Sequence, residues 1–233
     1  MTLYVLTAAT ESTRGLPEFD ITANRYGADP FYLGLGETWG GLTDKLKLVY
    51  KWLMEEPIAE PQLKPDDLLL FADGYDCLFV RNLSDIEHTF AGFGHEFVMS
   101  AETNCAPDAD RAPRYPPSPT RHRFLNAGCW MATAHAARRL LEDLSVWRLP
   151  SCLNDQQVIA DWWLDHQDRI RLDYSGELFH SCWEASADLD YGEQVTNRYT
   201  GARPYVVHGN GGSNLQPTRD WLLKMGIPLD RSG

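Results

Sequence analysis

The chain has 233 residues, of which 43% are hydrophobic and 12% aromatic, which is enough to bury the core of one domain. Its net charge of −12 at pH 7 argues against a protein that binds nucleic acid through a broad basic surface. No apolar run approaches the roughly 20 residues of a membrane-spanning helix, so we predict one soluble α/β domain over residues 1–233.

Cysteine usage and the amino terminus bear on the compartment. Five cysteines, an odd number without Cys-x-x-Cys spacing, argue against a disulfide framework and against a zinc site. The first residues contain neither a basic segment nor a long apolar one, so we predict no signal peptide. We therefore expect a cytoplasmic protein.

Predicted strands and helices alternate along the chain, which is typical of a Rossmann-like, mostly parallel sheet. Strands are predicted at Leu3–Thr10, Phe31–Gly36, Leu68–Phe71, Cys77–Val80, Phe97–Ala101, Phe124–Met131 and Tyr205–His208. Helices are predicted at Leu42–Met54, at Ser84–Phe90 with Ser84 as N-cap, at His135–Leu144 and from Asn154 onward.

Three polar or proline-containing stretches are expected to lie between these elements. The segment Glu11–Asn24 is polar and should only connect the first two strands. Pro57 and Pro61 should end the helix that precedes them. The proline-rich Asp110–Thr120 should be a surface loop, and it is a candidate for a mobile lid.

The most informative stretch is DDLLLFADGYDCLFV, residues 66–80. Its apolar run Leu68–Phe71 suits a strand buried on both faces, and the turn that follows carries Asp73 and Asp76. The carboxyl end of a central strand is where open α/β sheets bind ligands, and Mg²⁺ and Mn²⁺ prefer oxygen donors. The spacing alone is weak evidence in an acidic chain. Its position after a strand makes a metal site as good an interpretation as a plain acidic turn.

Further stretches carry candidate ligand groups, each with a structural alternative. Thr7 and Ala8 end the first strand and offer a hydroxyl and backbone groups to a nucleotide, although such turns are usually only turns. Small residues at Asn126–Gly128 indicate either close approach of backbone to a ligand or a β-bulge. Asp155 opens a helix, where it could act on a ligand or simply favour the helix dipole. The sequence His208–Gly212 delivers a histidine into a glycine-rich turn that suits a metal or a phosphate.

Taken together, the sequence resembles the glycosyltransferase domain of the procollagen lysyl hydroxylase/glycosyltransferase (PLOD-like) family and its viral and microbial relatives. The matching stretches occur in the family's order and are Val5–Glu11, Leu33–Trp39, Phe71–Asp76, Ser100–Glu102, Arg123–Gly128, Asn154–Gln156 and Val206–Gly211. No single motif is specific, but seven in register cover nearly the whole chain.

The resemblance implies a GT-A-like Rossmann-type fold, a UDP-sugar donor and Mn²⁺, with Mg²⁺ as a possible substitute. It implies Asp73, Asp76 and His208 as metal ligands, with Tyr75 stacked on the uracil. The complete set expected to bind the nucleotide is Thr7, Ala8, Tyr75, Asn126, Gly128, Gly209, Asn210 and Gly211. The residues expected nearest the chemistry are Asp155, Asn154 and Glu102.

Three departures from the family pattern concern the donor pocket. Ala106 stands where the family has a tryptophan that closes the sugar pocket. Asn154 precedes Asp155, where the animal members have a run of aspartates. Gly212-Ser213-Asn214 offers no lysine near the diphosphate. Nucleotide binding is therefore expected to carry over, whereas the donor sugar, the acceptor and the stereochemistry are not.

We accordingly predict a Mn²⁺-dependent hexosyltransferase that moves glucose or galactose from a UDP-sugar to a hydroxyl, with hydroxylysine of a collagen-like protein as one candidate acceptor. One alternative is a DNA glycosyltransferase acting on hydroxymethylated pyrimidines. The net charge opposes it, and only Arg111, Arg114, Arg121 and Arg123 support it. Another alternative is a non-catalytic UDP-sugar-binding protein, which Ala106 and Asn154 suggest.

Overall fold

The computed structural model describes residues 1–12, 15–55 and 63–229. Its strands are β1 (Leu3–Ala8), β2 (Pro30–Leu33), β3 (Leu68–Ala72), β4 (Cys77–Phe79), β5 (Phe97–Glu102), β6 (Phe124–Thr133), β7 (Arg171–Asp173), β8 (Phe179–Ser181), β9 (Leu189–Tyr191), β10 (Val195–Asn197) and β11 (Val206–His208). Its helices are α1 (Leu16–Arg25), α2 (Asp44–Glu55), α3 (Ile86–Gly92), α4 (Ala134–Asp143), α5 (Asp155–Asp165) and α6 (Gln216–Lys224).

The main sheet has six strands in the order β2-β1-β3-β6-β5-β7. The pairs β1–β2, β1–β3 and β5–β7 are parallel, whereas β6 runs antiparallel to both β3 and β5. Only β6 is therefore reversed, and the prediction of a mostly parallel central sheet is confirmed. Among the described residues, no helix combines the length and the apolar composition needed to cross a bilayer.

The side chains of alternate residues in the central strands pack into two hydrophobic cores, one on each face of the main sheet. Leu69 and Phe71 of β3 join one core, whereas Leu68 and Leu70 join the other. Each of these four side chains is at most 1% exposed. The period of two follows from the pleat of the strand, and it confirms the prediction that this strand is buried on both faces.

A second sheet, of order β4-β11-β8, places β11 alongside β4. Strand β11 lies between β4 and β8, and His208 pairs with Cys77. Because Cys77 follows Asp76 directly, this register places His208 beside the turn that joins β3 and β4. The sheet thus connects two sequence motifs that are far apart along the chain.

The expectation that Glu11–Asn24 merely connects two strands is wrong, because α1 begins at Leu16 and continues through the rest of this segment to Arg25. Phe19 and Ala23 lie on the apolar face of this helix and are completely buried. The polar appearance of the segment comes partly from Glu18, which is also buried and whose Oε2 lies 2.7 Å from Nη2 of Arg219. A partner so distant in sequence cannot be recognised from the local pattern.

Helix α3 begins later than predicted, and Ser84 is not its N-cap. A short 3₁₀ turn at Leu83–Asp85 precedes the helix, and Asn82 Oδ1 accepts a hydrogen bond from the Ser84 amide at 2.9 Å. A second 3₁₀ helix, Ala109–Arg114, occupies the start of the proline-rich loop. Pro57 and Pro61 lie outside the described residues.

Candidate metal and ligand site

The three predicted metal ligands meet at the carboxyl end of β3. Asp73 and Asp76 lie on the turn between β3 and β4, and His208 is the last residue of β11. One donor atom from each lies within 4.8 Å of the other two. His208 Nε2 is 3.3 Å from Asp76 Oδ1 and 4.0 Å from Asp73 Oδ2. Two carboxylates and one imidazole suit Mn²⁺, which accepts both oxygen and nitrogen donors, so these residues fit the predicted cation.

Main-chain hydrogen bonds hold this turn in place. The Asp73 amide donates to the Gly128 carbonyl at 2.9 Å, and the Gly209 amide donates to the Asp76 carbonyl at 2.7 Å. Gly74 is required between the two aspartates, because a Cβ there would lie 2.6 Å from Thr7 Oγ1. The turn that carries both aspartates is thus held by main chain from β6 and from the residue that follows β11.

Gly128 makes room for the His208 imidazole. A Cβ at Gly128 would lie 2.1 Å from His208 Cε1, so any side chain would displace the ring. The register between β5 and β6 shifts at this point: Met99 pairs with Trp130, but Ala101 pairs with Leu125. The β-bulge interpretation of Asn126–Gly128 is therefore confirmed by the irregular register, whereas close approach of this backbone to a bound ligand stays a prediction.

The structure adds Lys45, which sequence reasoning missed. Its Nζ lies 3.0 Å from Asp73 Oδ1 and 2.8 Å from Asp155 Oδ2, and its side chain is only 9% exposed. Lys45 shares the buried face of α2 with Val49 and Trp52. A lysine at that position of an amphipathic helix was the available signal. It joins the first predicted metal ligand to the predicted catalytic carboxylate.

The charges in this cluster shift the pKa values of its members. Burial alone would lower the pKa of Lys45, but Asp155 and Asp73 outweigh it and raise the pKa well above its usual range. Burial likewise opposes the charge on His208, yet Asp76 outweighs it and raises the pKa of the imidazole to about 10. The pKa of Asp76 is lowered, because His208 outweighs the effect of burial. Since a metal-ligating imidazole is neutral, a cation bound here would displace the proton of His208.

Glu102 is buried at the centre of a polar network. Its Oε1 accepts hydrogen bonds from Asn126 Nδ2 at 3.0 Å and from Gln156 Nε2 at 2.8 Å, and its Oε2 accepts one from Asn210 Nδ2 at 2.9 Å. Asn126 Oδ1 in turn lies 3.1 Å from His208 Nδ1. Both Glu102 oxygens are thus engaged. The network positions His208, one of the predicted metal ligands, through Asn126, while a catalytic role of Glu102 stays a prediction.

Asp155 and Asn154 occupy the first positions of α5. Asn154 Oδ1 accepts a hydrogen bond from the Gln157 amide at 2.9 Å, so this side chain is the N-cap of the helix. Asp155 is 4% exposed and faces Lys45. Gln156 binds the site from the same turn, with Oε1 accepting from the Ala127 amide at 3.0 Å. The helix start therefore delivers three consecutive side chains to the site.

Most of the predicted residues line one pocket of about 490 Å³. Those in its wall are Asp73, Asp76, Glu102, Asn126, Gly128, Asn154, Asp155, His208, Asn210 and Gly211. Lys45, Gln156 and Trp183 line it as well.

The other predicted nucleotide-binding residues, Thr7, Ala8, Tyr75 and Gly209, do not line this pocket. Thr7 is fully buried behind Gly74, and its hydroxyl has no hydrogen-bond partner among the described residues. The Tyr75 hydroxyl donates to the Glu11 carbonyl at 3.0 Å and lies 3.1 Å from the Glu11 amide. These contacts fix Tyr75 over the loop that follows β1. Its stacking on a base stays a prediction.

The arginines around the proline-rich loop are all engaged within the protein. Arg114 and Arg121 pair with Asp165 and Asp188 at 2.8 and 2.9 Å. Arg111 forms ion pairs with Asp108 and Asp161. The remaining one, Arg123, donates to main-chain carbonyls, including that of Pro116 at 2.9 Å. Little free positive charge is left on this loop for a phosphate backbone.

A family model for the PLOD GT domain matches residues 1–219 of the chain. Among curated proteins, the chain is similar to procollagen-lysine,2-oxoglutarate 5-dioxygenase of Drosophila melanogaster, with 31% identity over 225 residues, which cover 91% of this chain and 31% of that protein. It is also similar to the human multifunctional procollagen lysine hydroxylase and glycosyltransferase LH3, with 28% identity over 92% of this chain and 30% of that protein. The chain thus spans about 30% of the length of these relatives.

Solved structures share the fold at low sequence identity. Mouse xyloside xylosyltransferase 1 in its apo form superposes with a TM-score of 0.54 at 14% identity, over 92% of this chain and 99% of that one. The galactosyltransferase LgtC, solved in complex with donor and acceptor sugar analogues, superposes with a TM-score of 0.52 at 10% identity, over 95% of both chains. The predicted GT-A-like fold is confirmed.

Proposed function

The chain belongs to the family of PLOD glycosyltransferase domains, and from this premise we propose that it transfers a hexose from a UDP-sugar to an acceptor hydroxyl, using Mn²⁺ bound by Asp73, Asp76 and His208. The observation that carries the proposal is the cluster of these three ligands with Lys45 and Asp155 in one pocket. A cation site directly beside an anchored carboxylate suits transfer from a nucleotide diphosphate, because the cation can stabilise the leaving diphosphate and the carboxylate can position a hydroxyl.

A cation at these ligands would stabilise the negative charge that develops on the departing diphosphate. The protein's own residues position the other participants. Lys45 holds the carboxylates of Asp73 and Asp155 in a fixed relation, with contacts of 3.0 and 2.8 Å. Asp155 is thereby oriented to accept a hydrogen bond from a sugar hydroxyl or a proton from the acceptor hydroxyl.

The acceptor is proposed from the names of the relatives, which combine lysine hydroxylation with glycosyl transfer. Hydroxylysine of a collagen-like protein is therefore the first acceptor to test. Modified DNA is less favoured, because the arginines of the proline-rich loop are already paired with acidic groups or carbonyls. A cytoplasmic location is also part of the proposal, and the odd number of cysteines without Cys-x-x-Cys spacing supports it.

A non-catalytic sugar-nucleotide-binding protein is the remaining alternative. It drew support from Ala106 and Asn154, but Asn154 has an evident structural role as the N-cap of α5. The cluster of Lys45, Asp155 and the three proposed metal ligands favours an enzyme, because binding alone does not need a further carboxylate, Asp155, beside the two that would hold the cation.

Donor hydrolysis tests this proposal without any acceptor. We expect the protein to release UDP slowly from UDP-glucose or UDP-galactose with Mn²⁺, and to lose this activity in EDTA. Asp155→Asn should keep its UDP affinity while turnover falls by about a hundredfold. Asp165→Asn, at the exposed far end of the same helix, is the matched control and should keep full turnover.

Two results would contradict the proposal. If the wild-type protein does not bind UDP in the presence of Mn²⁺, the pocket is not a sugar-nucleotide site. Tight UDP-sugar binding with no turnover, even with hydroxylysine-containing peptides, would favour the non-catalytic alternative.

A further inference from the structure

Trp183 is an aromatic side chain in the pocket that no sequence motif indicated. It follows β8 by two residues and lines the wall that also contains Ala106, Asn210 and Gly211. Its ring packs against Gly211, where a Cβ would lie 2.3 Å from Cε3 of the indole. Gly211 has a φ of +64°, so the glycine is needed both for its backbone conformation and for the ring.

The backbone of Trp183 is fixed from both sides. Its amide donates a hydrogen bond to Asn210 Oδ1 at 3.0 Å, and its carbonyl accepts one from Thr103 Oγ1 at 2.7 Å. The next residue, Glu184, has a φ of +52°, a left-handed conformation that is uncommon for a non-glycine residue. The chain is therefore held in a tight turn that keeps Trp183 at the pocket wall.

A continuous series of hydrogen bonds relates Trp183 to the predicted metal ligands. Asn210, which holds the Trp183 amide, donates to Glu102 at 2.9 Å, Glu102 accepts from Asn126 at 3.0 Å, and Asn126 lies 3.1 Å from His208 Nδ1. In a sugar nucleotide the pyranose is bonded directly to the diphosphate. A sugar whose diphosphate lies at the cation site would therefore occupy the neighbouring part of the pocket, where Trp183 lies.

We propose that Trp183 is the stacking platform for the pyranose ring of the donor sugar. The proposal rests on the sugar-nucleotide function proposed above. A pyranose has faces made of C–H groups, which pack on the electron-rich face of an aromatic ring.

Calorimetric titration separates the sugar from the nucleotide. The probes are UDP and a non-transferable 2-deoxy-2-fluoro analogue of the preferred UDP-hexose, both with saturating Mn²⁺. Trp183→Leu should weaken the analogue by about tenfold, which corresponds to 1.4 kcal/mol, and should leave UDP within about twofold of wild type. Trp183→Phe keeps an aromatic face, so it should lose less affinity for the analogue. It replaces the leucine variant in the comparison if that variant melts at a lower temperature than the wild type. Trp147→Leu, an exposed tryptophan outside this pocket, is the control.

Each other outcome overturns the inference. Equal weakening of UDP and analogue, or no weakening of either, would show that Trp183 does not contact the sugar. If the wild-type protein binds neither probe, the proposed function itself fails. If it binds UDP normally and the variants do not distinguish the two probes, only the role of Trp183 fails.

Discussion

Replacing Lys45 by methionine should destabilise the metal-free protein strongly. The substitution keeps the length of the side chain and a similar helix propensity, so the loss of charge is the main change. It leaves the carboxylates of Asp73 and Asp155 without the cation that lies 3.0 and 2.8 Å away from them. Asp76 adds a third carboxylate to the same pocket. Without the positive charge of Lys45, the repulsion among the three carboxylates is no longer offset.

The magnitude follows from these distances. At an effective dielectric constant of about 20, a single contact of this length amounts to roughly 5 to 6 kcal/mol of Coulomb energy, which the cost of burying the charges offsets in large part. Breaking one partner out of a buried pair typically costs about 3–5 kcal/mol. We expect a loss of that size in the free energy of unfolding, and partial recovery in Mn²⁺ because a bound cation restores positive charge next to Asp73.

Urea denaturation with and without Mn²⁺ measures both effects. Lys47→Met is the matched control on the same helix, since Lys47 pairs with Asp44 at 3.1 Å and its side chain is 30% exposed. The control should lose no more than about 1 kcal/mol. If the two variants lose the same free energy, or if Mn²⁺ restores neither, Lys45 is not the electrostatic link of the site.

Three further predictions test the support of the site and the core. Gly128→Ala should abolish Mn²⁺ binding measured by calorimetry, because its Cβ would lie 2.1 Å from the His208 ring, whereas Gly92→Ala, with nothing within 4 Å, should keep it. Tyr75→Ala should weaken UDP by about 1–3 kcal/mol through lost stacking, and Tyr75→Phe should affect UDP far less; equal losses would refute stacking. Burial lowers the pKa of His180 to about 3, below the 6.5 of the unfolded chain. The contribution of the neutral, buried imidazole to the free energy of unfolding is therefore complete above pH 6.5 and is lost as the pH falls toward 3. His180→Gln should therefore flatten the decline in unfolding free energy between pH 7 and 5, and an unchanged slope would contradict this.

The central strand and its turn could be predicted because their signal is local. The run Leu68–Phe71 is apolar without interruption, and the structure buries every member of it. The glycine-rich turn made His208 a candidate for a metal or a phosphate, and the family resemblance grouped it with Asp73 and Asp76. Neither could give the pairing of β11 with β4 that brings these residues together, because it joins residues far apart in sequence.

The missed residues share a physical cause. Lys45 and Glu18 are charged residues on helices and look like solvated positions, yet each is buried by a partner from a distant segment. Trp183 lies in a stretch without a motif, and its place in the pocket depends on Gly211 and Thr103, which reach it only through the fold. Periodicity could place Lys45 on the apolar face of α2, but neither periodicity nor spacing identifies the distant partners of these residues.

The central claim is that a divalent cation at Asp73, Asp76 and His208 binds UDP, and calorimetry of Asp76→Asn tests it most directly. Asp76 Oδ1 lies 3.3 Å from His208 Nε2 at a strand end, and the substitution preserves side-chain volume, so the fold should stay intact. We predict Mn²⁺-dependent UDP binding in the wild-type protein and in Asp66→Asn, an exposed control before β3, and its loss in Asp76→Asn. The same Mn²⁺-dependent UDP affinity in Asp76→Asn as in the wild type would contradict the assignment.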